Sequence, residues 1–409
     1  MSDLKRDLKS DLKLDRRRLL AGSAMLAGAS LLPARVRAQA GPIKIGTLTP
    51  LTGAGGPYGP PMVKAVNAVV EEVNAAGGVL GRKIEIISED DQTNPEAGVR
   101  AAHKLIDVDK VSAIVGPWAS AVTTAVAPLC WESKTVLCTT SGADSITQLP
   151  HQGYIFRTQP NTTLQGKKFG EFCVAQGAKR VFFVSPQTPF AASSFNSITA
   201  AVKAGGGETA NLIYDDKKPS YRTEVDEVLR FKPDGIILGG YTPDTLVLLK
   251  DLFRADYSGM KVGFGYSVNQ KLVESLPPEV VEKTFTISPS PAEGSKAYER
   301  LTKLVGIASP DPYTCQAYDH ISLVLLAIGY AGDSAGSAIK DAVRKISQAP
   351  GGTTIDNVVD GLKAIAAKQT INYNGASGPC DFTDIGDITD CKFRYDQVQQ
   401  GKLALIKIA

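Results

Sequence analysis

Two spacings of hydrophobic residues, one typical of strands and one typical of helices, alternate along residues 43–288. Short apolar runs such as Ile43–Leu48 and Val111–Val115 have the length of buried strands. Between them, apolar residues recur every three or four positions, as in Met62–Ala76, which stops at Gly77-Gly78 and is typical of a helix. This strand–helix alternation predicts an α/β fold, with parallel sheets covered by helices on both faces.

The alternation occurs in two rounds, and the second begins with a predicted helix over Leu164–Gln176. After residue 288 the pattern is mostly helical, and it ends in a predicted hairpin around Gly386 and a last strand, Leu403–Ile408. We therefore expect two doubly wound parallel-sheet lobes. The predicted strands are Ile43–Leu48, Lys83–Ser88, Val111–Val115 and Thr135–Cys138 in the first round, and Arg180–Ser185, Thr209–Ile213, Gly235–Leu238, Lys261–Phe264 and Phe285–Ser288 in the second.

The first 40 residues have a different pattern. Arg16-Arg17-Arg18 precedes an uncharged run, Leu19–Leu32, which is too short to cross about 30 Å of hydrocarbon as a helix. This arrangement indicates a signal peptide of the twin-arginine type over residues 1–40, with cleavage after Ala38 or Ala40. An ordinary export signal that contains adjacent arginines is the alternative, and both place the mature protein in the periplasm.

The net charge of +3 belongs to this leader. Residues 1–38 carry nine Lys/Arg and four Asp/Glu, which leaves the rest of the chain near −2 and without a basic face for nucleic acid. Ile321–Ala331 is the most apolar later stretch, and its length suits a buried helix rather than a membrane span. We expect a mature protein that is not membrane-embedded.

Several motifs of catalysis and metal binding are absent from the sequence. It contains no G-x-x-x-x-G-K-S/T loop, no H-E-x-x-H and no paired C-x-x-C spacing, and it has only three histidines. We therefore predict no cofactor, no metal and no catalytic residue. Six cysteines are present, of which Cys380 and Cys391 flank a turn and are candidates for a disulfide across it.

Ligands of such sheets bind beyond the carboxyl ends of the strands. The candidate positions are therefore the loops that follow predicted strands, namely Thr49–Gly59, Gly116–Ser120, Thr139–Asp144, Gly239–Pro243 and Gly265–Val268.

Short motifs in and between these loops follow one another in a specific order. They are Ile43-Lys44-Ile45-Gly46, Pro50-Leu51-Thr52-Gly53, Tyr58-Gly59, Asn74-Ala75-Ala76-Gly77-Gly78, Gly81-Arg82, Asp90-Asp91, Asn94-Pro95, Val115-Gly116-Pro117, Phe156-Arg157-Thr158, Gly239-Gly240-Tyr241, Ala317-Tyr318-Asp319 and Gly386-Asp387. With these motifs the chain resembles, over almost all of residues 43–409, the substrate-binding proteins of branched-chain-amino-acid-type ABC transporters, the leucine/isoleucine/valine-binding family of type I periplasmic binding proteins.

The resemblance implies two lobes joined by a three-segment hinge, which closes on a ligand. It places the crossovers near Arg157–Pro160, Ser288–Pro291 and Asn374–Gly378. Lobe 1 would then comprise residues 41–158 and 290–375, and lobe 2 residues 159–289 and 376–409. It also implies a monomer that delivers a small-molecule ligand to ABC transporter permease subunits and performs no chemistry.

The family's ligand residues can be carried over one by one. The carboxylate-binding serine corresponds to Ser120, with Trp118 and Ala119 beside it, and the next loop supplies Ser141 and, in place of the family's threonine, Ala143. The aromatic walls correspond to Tyr58, Tyr241 and Tyr313, and Tyr266 is a further flat side chain.

The family's acidic partner for an amino acid's ammonium group is missing. Its loop reads Gly265-Tyr266-Ser267, so Ser267 stands nearest to its place. A buried ammonium without a counter-charge costs several kcal/mol. The pattern therefore favours a ligand with a carboxylate or amide and an apolar, aromatic body. Asp144 or Asp244 are alternative acids, which leaves a branched-chain amino acid open. A ligand-sensing module that feeds a regulator and an exported α/β enzyme are the alternative functions.

Overall fold

The computed structural model of the chain describes residues 41–409, which form two large β-sheets with helices packed around them. The predicted α/β class is confirmed. The signal peptide predicted for residues 1–40 lies outside the described residues.

The first sheet contains five parallel strands in the order β2-β1-β3-β4-β5. The strands β3, β4 and β5 are completely buried, and helices on both faces explain the apolar sequences of β3 and most of β4. The strands are β1 (Ile43–Thr49), β2 (Ile84–Asp90), β3 (Ala113–Val115), β4 (Val136–Thr139) and β5 (Ile155–Arg157).

The second sheet contains seven strands in the order β14-β13-β10-β9-β8-β6-β7. Strands β6 to β10 are parallel, whereas β13 and β14 add an antiparallel edge. The strands are β6 (Arg180–Pro186), β7 (Glu208–Tyr214), β8 (Gly235–Leu238), β9 (Met260–Phe264), β10 (Thr284–Pro289), β13 (Phe393–Gln399) and β14 (Lys402–Ile408), and a separate parallel pair is formed by β11 (Thr353–Ile355) and β12 (Ile371–Tyr373).

Helices follow most of the parallel strands. The longest, α11, is buried from Tyr313 to Ile328, which explains the apolar run in its second half, Leu323–Ile328. The helices are α1 (Gly59–Ala75), α2 (Pro95–His103, extended by a π-helical turn over Lys104–Val108), α3 (Ser120–Glu132), α4 (Ser145–Gln148), α5 (Thr162–Ala175), α6 (Pro189–Ala204), α7 (Arg222–Arg230), α8 (Thr242–Arg254), α9 (Gln270–Glu274), α10 (Lys296–Val305), α11 (Pro312–Ala331), α12 (Gly336–Ser347) and α13 (Val358–Ala366).

The C-terminal part differs from the sequence prediction. The long hairpin joins β13 to β14 through Gln400-Gly401, whereas the turn at Gly386 is closed by a single antiparallel bridge between Phe382 and Ile388. The Gly386 carbonyl accepts a hydrogen bond of 3.0 Å from the N–H of Arg157, so this turn lies at the end of β5.

The chain passes from one sheet to the other three times. It leaves the first sheet after β5 and reaches the second at β6. After β10 it returns to the side of the first sheet, where α10 and α11 pack against α1. It then enters the second sheet again at β13. Loops at the carboxyl ends of strands from both sheets therefore come from widely separated parts of the chain.

Among residues 41–409, no single helix is both long and apolar enough to cross a membrane. By length and composition alone, α11 and α12 would qualify together as a pair bent by 103°.

Candidate functional site

Aromatic side chains from loops of both sheets meet in one cluster. Trp118, between β3 and α3, lies at its centre and is only 6% exposed. Its ring centroid is 5.1 Å from that of Tyr58, 5.7 Å from that of Tyr241 and 5.6 Å from that of Tyr313. Tyr266 approaches it edge-on at 5.7 Å. Rings in such stacked and edge-to-face arrangements attract each other, so the cluster connects the loops of the two sheets.

Two glycines allow the loops to approach Trp118 this closely. A Cβ atom on Gly55 would lie 2.8 Å from Cε3 of the indole ring. Gly116, two residues before Trp118, has a φ of +102°, and a Cβ atom there would lie 2.6 Å from Cγ2 of Thr49. A side chain at Gly55 would displace the tryptophan, and one at Gly116 would be strained by the positive φ and would clash with Thr49.

A cavity opens beside this cluster, between the loops of the two sheets. Its volume is about 460 Å³ when the open mouth is included. None of the described residues that line it carries a charge. These residues are Trp118, Ala119, Ser120, Ala121, Thr140, Gly142, Gln159, Pro186, Thr188, Phe190, Gly239, Tyr241, Tyr266 and Tyr313.

The N-terminus of α3 borders this cavity without a side-chain cap. The N-cap residue is Ala119, which has no acceptor for the first-turn N–H groups. Tyr58 and Tyr241 occupy the same position at α1 and α8, also without a cap hydrogen bond. Because Pro60 and Pro61 in α1 and Pro243 in α8 have no N–H, the start of α3 is the helix end at the aromatic cluster with a complete set of first-turn N–H groups, which favours an anion there.

Ser120 is the first residue of α3, and its hydroxyl does not cap the helix. Instead it accepts a hydrogen bond of 3.1 Å from the N–H of Ala143. The Ala143 N–H, which the resemblance implies for ligand binding, is thus engaged in orienting the serine hydroxyl. That hydroxyl keeps its own proton available for an acceptor in the cavity.

Ser141 and Ser267 lie behind the cavity and position its loops. The Ser141 hydroxyl is 2.9 Å from the carbonyl oxygen of Trp118, and Ser267 donates to the carbonyl of Gly240 at 2.5 Å. Tyr58 stacks on Trp118 and borders an adjoining cavity. Of the site residues named from the sequence, those that line the cavity directly are Trp118, Ala119, Ser120, Tyr241, Tyr266 and Tyr313.

Several lining residues were missed by the sequence analysis. Thr188 and Phe190 follow β6, and the rule that placed candidate loops after strands would have found them there. Gln159, which is 3% exposed, accepts a hydrogen bond of 2.6 Å from Gln316 and leaves its amide nitrogen without a partner among residues 41–409. Its only signal was its position at a predicted crossover.

Neither alternative acid reaches the cavity. Asp144 accepts hydrogen bonds from the N–H and hydroxyl of Thr163 at 3.0 and 2.7 Å, at the start of α5. Asp244 is buried and accepts from the Tyr221 hydroxyl at 3.0 Å. The two carboxylates are thus engaged outside the lining, and the cavity has no counter-charge for an ammonium group.

The phenols around the cavity are neutral hydrogen-bond donors at physiological pH. Burial raises the pKa of Tyr58 and the pKa of Tyr241 to about 12. The Tyr266 hydroxyl donates to the carbonyl of Gly239 at 3.2 Å. The electrostatic character of the site therefore comes from helix ends and uncharged donors.

The disulfide suggested between Cys380 and Cys391 is not present in the structure, where both are free thiols. Cys380 is completely buried beside Gly378, whereas Cys391 is partly exposed next to β13, with its sulfur 3.1 Å from the carbonyl of Lys392. The two side chains thus lie in different environments on either side of the Gly386 turn. In the part of the chain that the structure describes, no group of three or more His, Cys, Asp and Glu residues could hold a metal ion.

Two β-sheets flanked by helices, with loops that enclose an uncharged aromatic cavity, define a bilobal ligand-binding protein. The periplasmic binding protein family matches residues 42–382, and the chain belongs to this family. The resemblance named from the sequence motifs is confirmed by this match.

Relatives share both the length and the fold. The chemotactic signal transduction system substrate-binding protein BasB of Halobacterium salinarum is 27% identical over 358 residues, which is 84% of each chain. The leucine-binding protein LivK of Thermotoga maritima superposes with a TM-score of 0.77 at 21% identity, over 90% of this chain and 98% of that one. A solute-binding protein of an ABC transporter from R. palustris, in complex with benzoate, gives a TM-score of 0.72 at 20% identity, over 90% and 96%.

Proposed function

We propose that this chain is the solute-binding protein of an ABC importer and captures a small carboxylate in the cavity beside Trp118. The observation that carries this proposal is the combination of an uncapped α3 N-terminus with a lining that contains no charged side chain. The first-turn N–H groups and the Ser120 hydroxyl would bind the carboxylate, and an amide oxygen is the weaker alternative at the same donors.

The body of the ligand is apolar and flat. Trp118, Tyr241 and Tyr313 provide ring surfaces, and Phe190 closes another side. An obligatory ammonium group does not suit this lining, because burial of an unpaired charge costs several kcal/mol. An aromatic or branched aliphatic acid without an amine therefore fits best, and the benzoate complex of the R. palustris relative supports this class. Branched-chain amino acids are the second class, supported by the leucine-binding relative.

Capture would occur by closure of two lobes. Lobe 1 comprises residues 41–158 and 290–375, and lobe 2 residues 159–289 and 376–409. The three passages of the chain between the sheets support a three-segment hinge between them. Since Trp118 belongs to lobe 1 and Tyr241 to lobe 2, a ligand between them would favour the closed form by its differential affinity.

The protein would act as a monomer in the periplasm, exported through the twin-arginine signal of residues 1–40, and would deliver its ligand to ABC permease subunits without changing it. Replacement of both Arg16 and Arg17 by lysine should stop export by that route. Mass spectrometry of a bound acid after long incubation should return it intact, since no catalytic residue is proposed.

Ligand sensing for a signalling system is the second candidate function. It is favoured by the similarity to BasB, a substrate-binding protein of a chemotactic system, over 84% of each chain. The two functions share the site and differ in the membrane partner. Deletion of the gene for this protein should abolish uptake of the labelled ligand if the protein serves import. The deletion should abolish only the behavioural response to the ligand if the protein serves sensing.

Thermal unfolding in the presence of individual acids tests the ligand class. A ligand present at about 100 times its Kd should stabilise the protein by roughly 2.7 kcal/mol. Benzoate, phenylpropanoids, branched aliphatic acids and short amides form the panel, with leucine, isoleucine, valine and phenylalanine as the amine-bearing set. Stabilisation by amine-free acids supports the proposal. A panel in which no compound stabilises the protein would contradict it.

A further inference from the structure

A second cavity lies on the other side of Tyr58 and Tyr313 from the first. Both rings line it, and Tyr313 lines the first cavity as well. The volume of this second cavity, with its open mouth included as for the first, is about 1000 Å³. Its walls come from α11 and the preceding loop on one side and from β10, β13 and the loop after β9 on the other. It is therefore a separate chamber between the same two sheets.

The second cavity differs from the first in charge. Four charged side chains line it: Glu293, Asp311, Arg394 and Asp396. Arg394 lies between two carboxylates, with Nη1 3.1 Å from Oε1 of Glu293 and Nε 2.9 Å from Oδ2 of Asp396. The lining thus contains one guanidinium and three carboxylates, which is a formal excess of two negative charges.

The hydrogen-bonding capacity of this wall is not fully used. Asp311 is saturated, because Oδ1 accepts from the N–H groups of Tyr313 and Thr314 and Oδ2 accepts from the Thr314 hydroxyl. In contrast, the Thr286 hydroxyl, in a residue only 3% exposed, has no partner among residues 41–409. A buried hydroxyl without a partner is costly, and a ligand that donates a hydrogen bond would remove that cost.

We propose that this second cavity binds a small primary organic ammonium ion. The excess negative charge attracts the cation, and the Thr286 hydroxyl and Oε2 of Glu293 accept its N–H bonds, whereas both oxygens of Asp396 already accept from Arg394. The rings of Tyr58 and Tyr313 contact its alkyl part and attract its charge. The first cavity offers a carboxylate the opposite environment. Acid binding beside Trp118 and cation binding here therefore have separate readouts, and failure of one leaves the other standing.

Calorimetric titration of the full mature chain with n-butylammonium tests this proposal, with butyrate and n-butanol as matched anionic and neutral probes. We expect saturable binding of the cation. Thr286→Val should weaken it roughly three- to tenfold, whereas Thr286→Ser, which keeps the hydroxyl, should retain it. Glu293→Gln should also weaken it roughly three- to tenfold, and Glu299→Gln, an exposed change of equal charge in α10, should leave it unchanged.

Two results would overturn the proposal. One is the absence of saturable n-butylammonium binding up to about 10 mM, where even a millimolar site would fill. The other is binding whose affinity is the same in Thr286→Val and Glu293→Gln as in the unaltered protein. Melting temperatures establish that each variant is folded, and because Glu293 lies at the surface, its variant remains informative if the Thr286 variant does not fold.

Discussion

Arg157 and Asp387 form a buried ion pair in which Nε and Oδ1 are 2.6 Å apart. The Arg157 side chain has no exposed surface, and it also donates to the carbonyl of Ala143 at 2.7 Å. The second oxygen of Asp387 accepts from Asn161 at 3.1 Å. The pair thus ties the end of β5 and the C-terminal loop to the loop that orients Ser120.

Replacement of Asp387 by asparagine should be strongly destabilising. It would leave the Arg157 guanidinium buried without its counter-charge, and breaking such a pair typically costs about 3–5 kcal/mol. Urea unfolding measures the change, and Asp384→Asn, at an exposed position in the same loop, is the control. A loss of less than about 1 kcal/mol would mean that the pair does not hold the loop.

Trp118 should report ligand binding by its fluorescence. The chain has two tryptophans, Trp118 in the cavity wall and Trp131 near the end of α3. A ligand-induced change in emission should disappear in Trp118→Phe and persist in Trp131→Phe. Trp118→Ala should weaken binding by roughly 30-fold or more, as expected for a central aromatic contact. A response that survives in Trp118→Phe would place the ligand elsewhere.

Ser120→Ala should weaken carboxylate binding roughly tenfold. The substitution removes a hydroxyl donor and leaves the Ala143 N–H without its acceptor. Ser197→Ala removes a hydroxyl that bonds only within α6 and serves as the control. Equal calorimetric affinities of the two variants would exclude a ligand contact by Ser120.

Asp91 should make stability depend on pH. It is completely buried, Oδ1 accepts from the N–H of Thr93 at 2.7 Å, and Oδ2 has no partner among the described residues. Burial raises the pKa of Asp91 to about 7, whereas an unfolded aspartate titrates near 4. The folded state thus favours the protonated form. The contribution of protonated Asp91 to the free energy of unfolding is therefore fully present below about pH 4 and is lost as the pH rises through about 7.

Asp91→Asn mimics the protonated side chain and should remove this loss. The stability of the unaltered protein relative to the variant should fall by up to about 4 kcal/mol between about pH 4 and about pH 8. Urea midpoints across this range give the difference, with Glu96→Gln, at an exposed position of α2, as the control. A difference that stays constant with pH would show that Asp91 does not titrate in this window.

The sequence predicted most of the fold because periodicity is a local property. Buried parallel strands such as β1, β3 and β8 were found from their continuous apolar runs, whereas β2 was found from its alternation. Strand β13 was missed because Arg394 and Asp396 alternate with the buried Phe393 and Tyr395, which breaks any continuous apolar run. Strand β5 has three residues, too few for a period, and includes Arg157, whose burial depends on its ion pair.

The site was predictable only in its parts. The rule that ligands bind after strands found the loops of Trp118 and Tyr241. The hydrogen bond from Ala143 to Ser120 depends on the relative placement of two loops, which no local pattern encodes. The same is true of Gln159, which reaches the cavity through its contact with Gln316 on α11. The engagement of Asp144 and Asp244 outside the cavity likewise depends on tertiary contacts with Thr163 and Tyr221.

We propose that the uncharged cavity at the start of α3 takes an acid without an amine. The most direct test is calorimetric titration with matched pairs that differ only in the ammonium group: 4-methylpentanoate against leucine, and 3-phenylpropanoate against phenylalanine. We predict that the amine-free member of at least one pair binds roughly 100-fold more tightly, because no carboxylate lines the cavity to pair with an ammonium group. Equal or tighter binding of leucine or phenylalanine would contradict this account of the cavity.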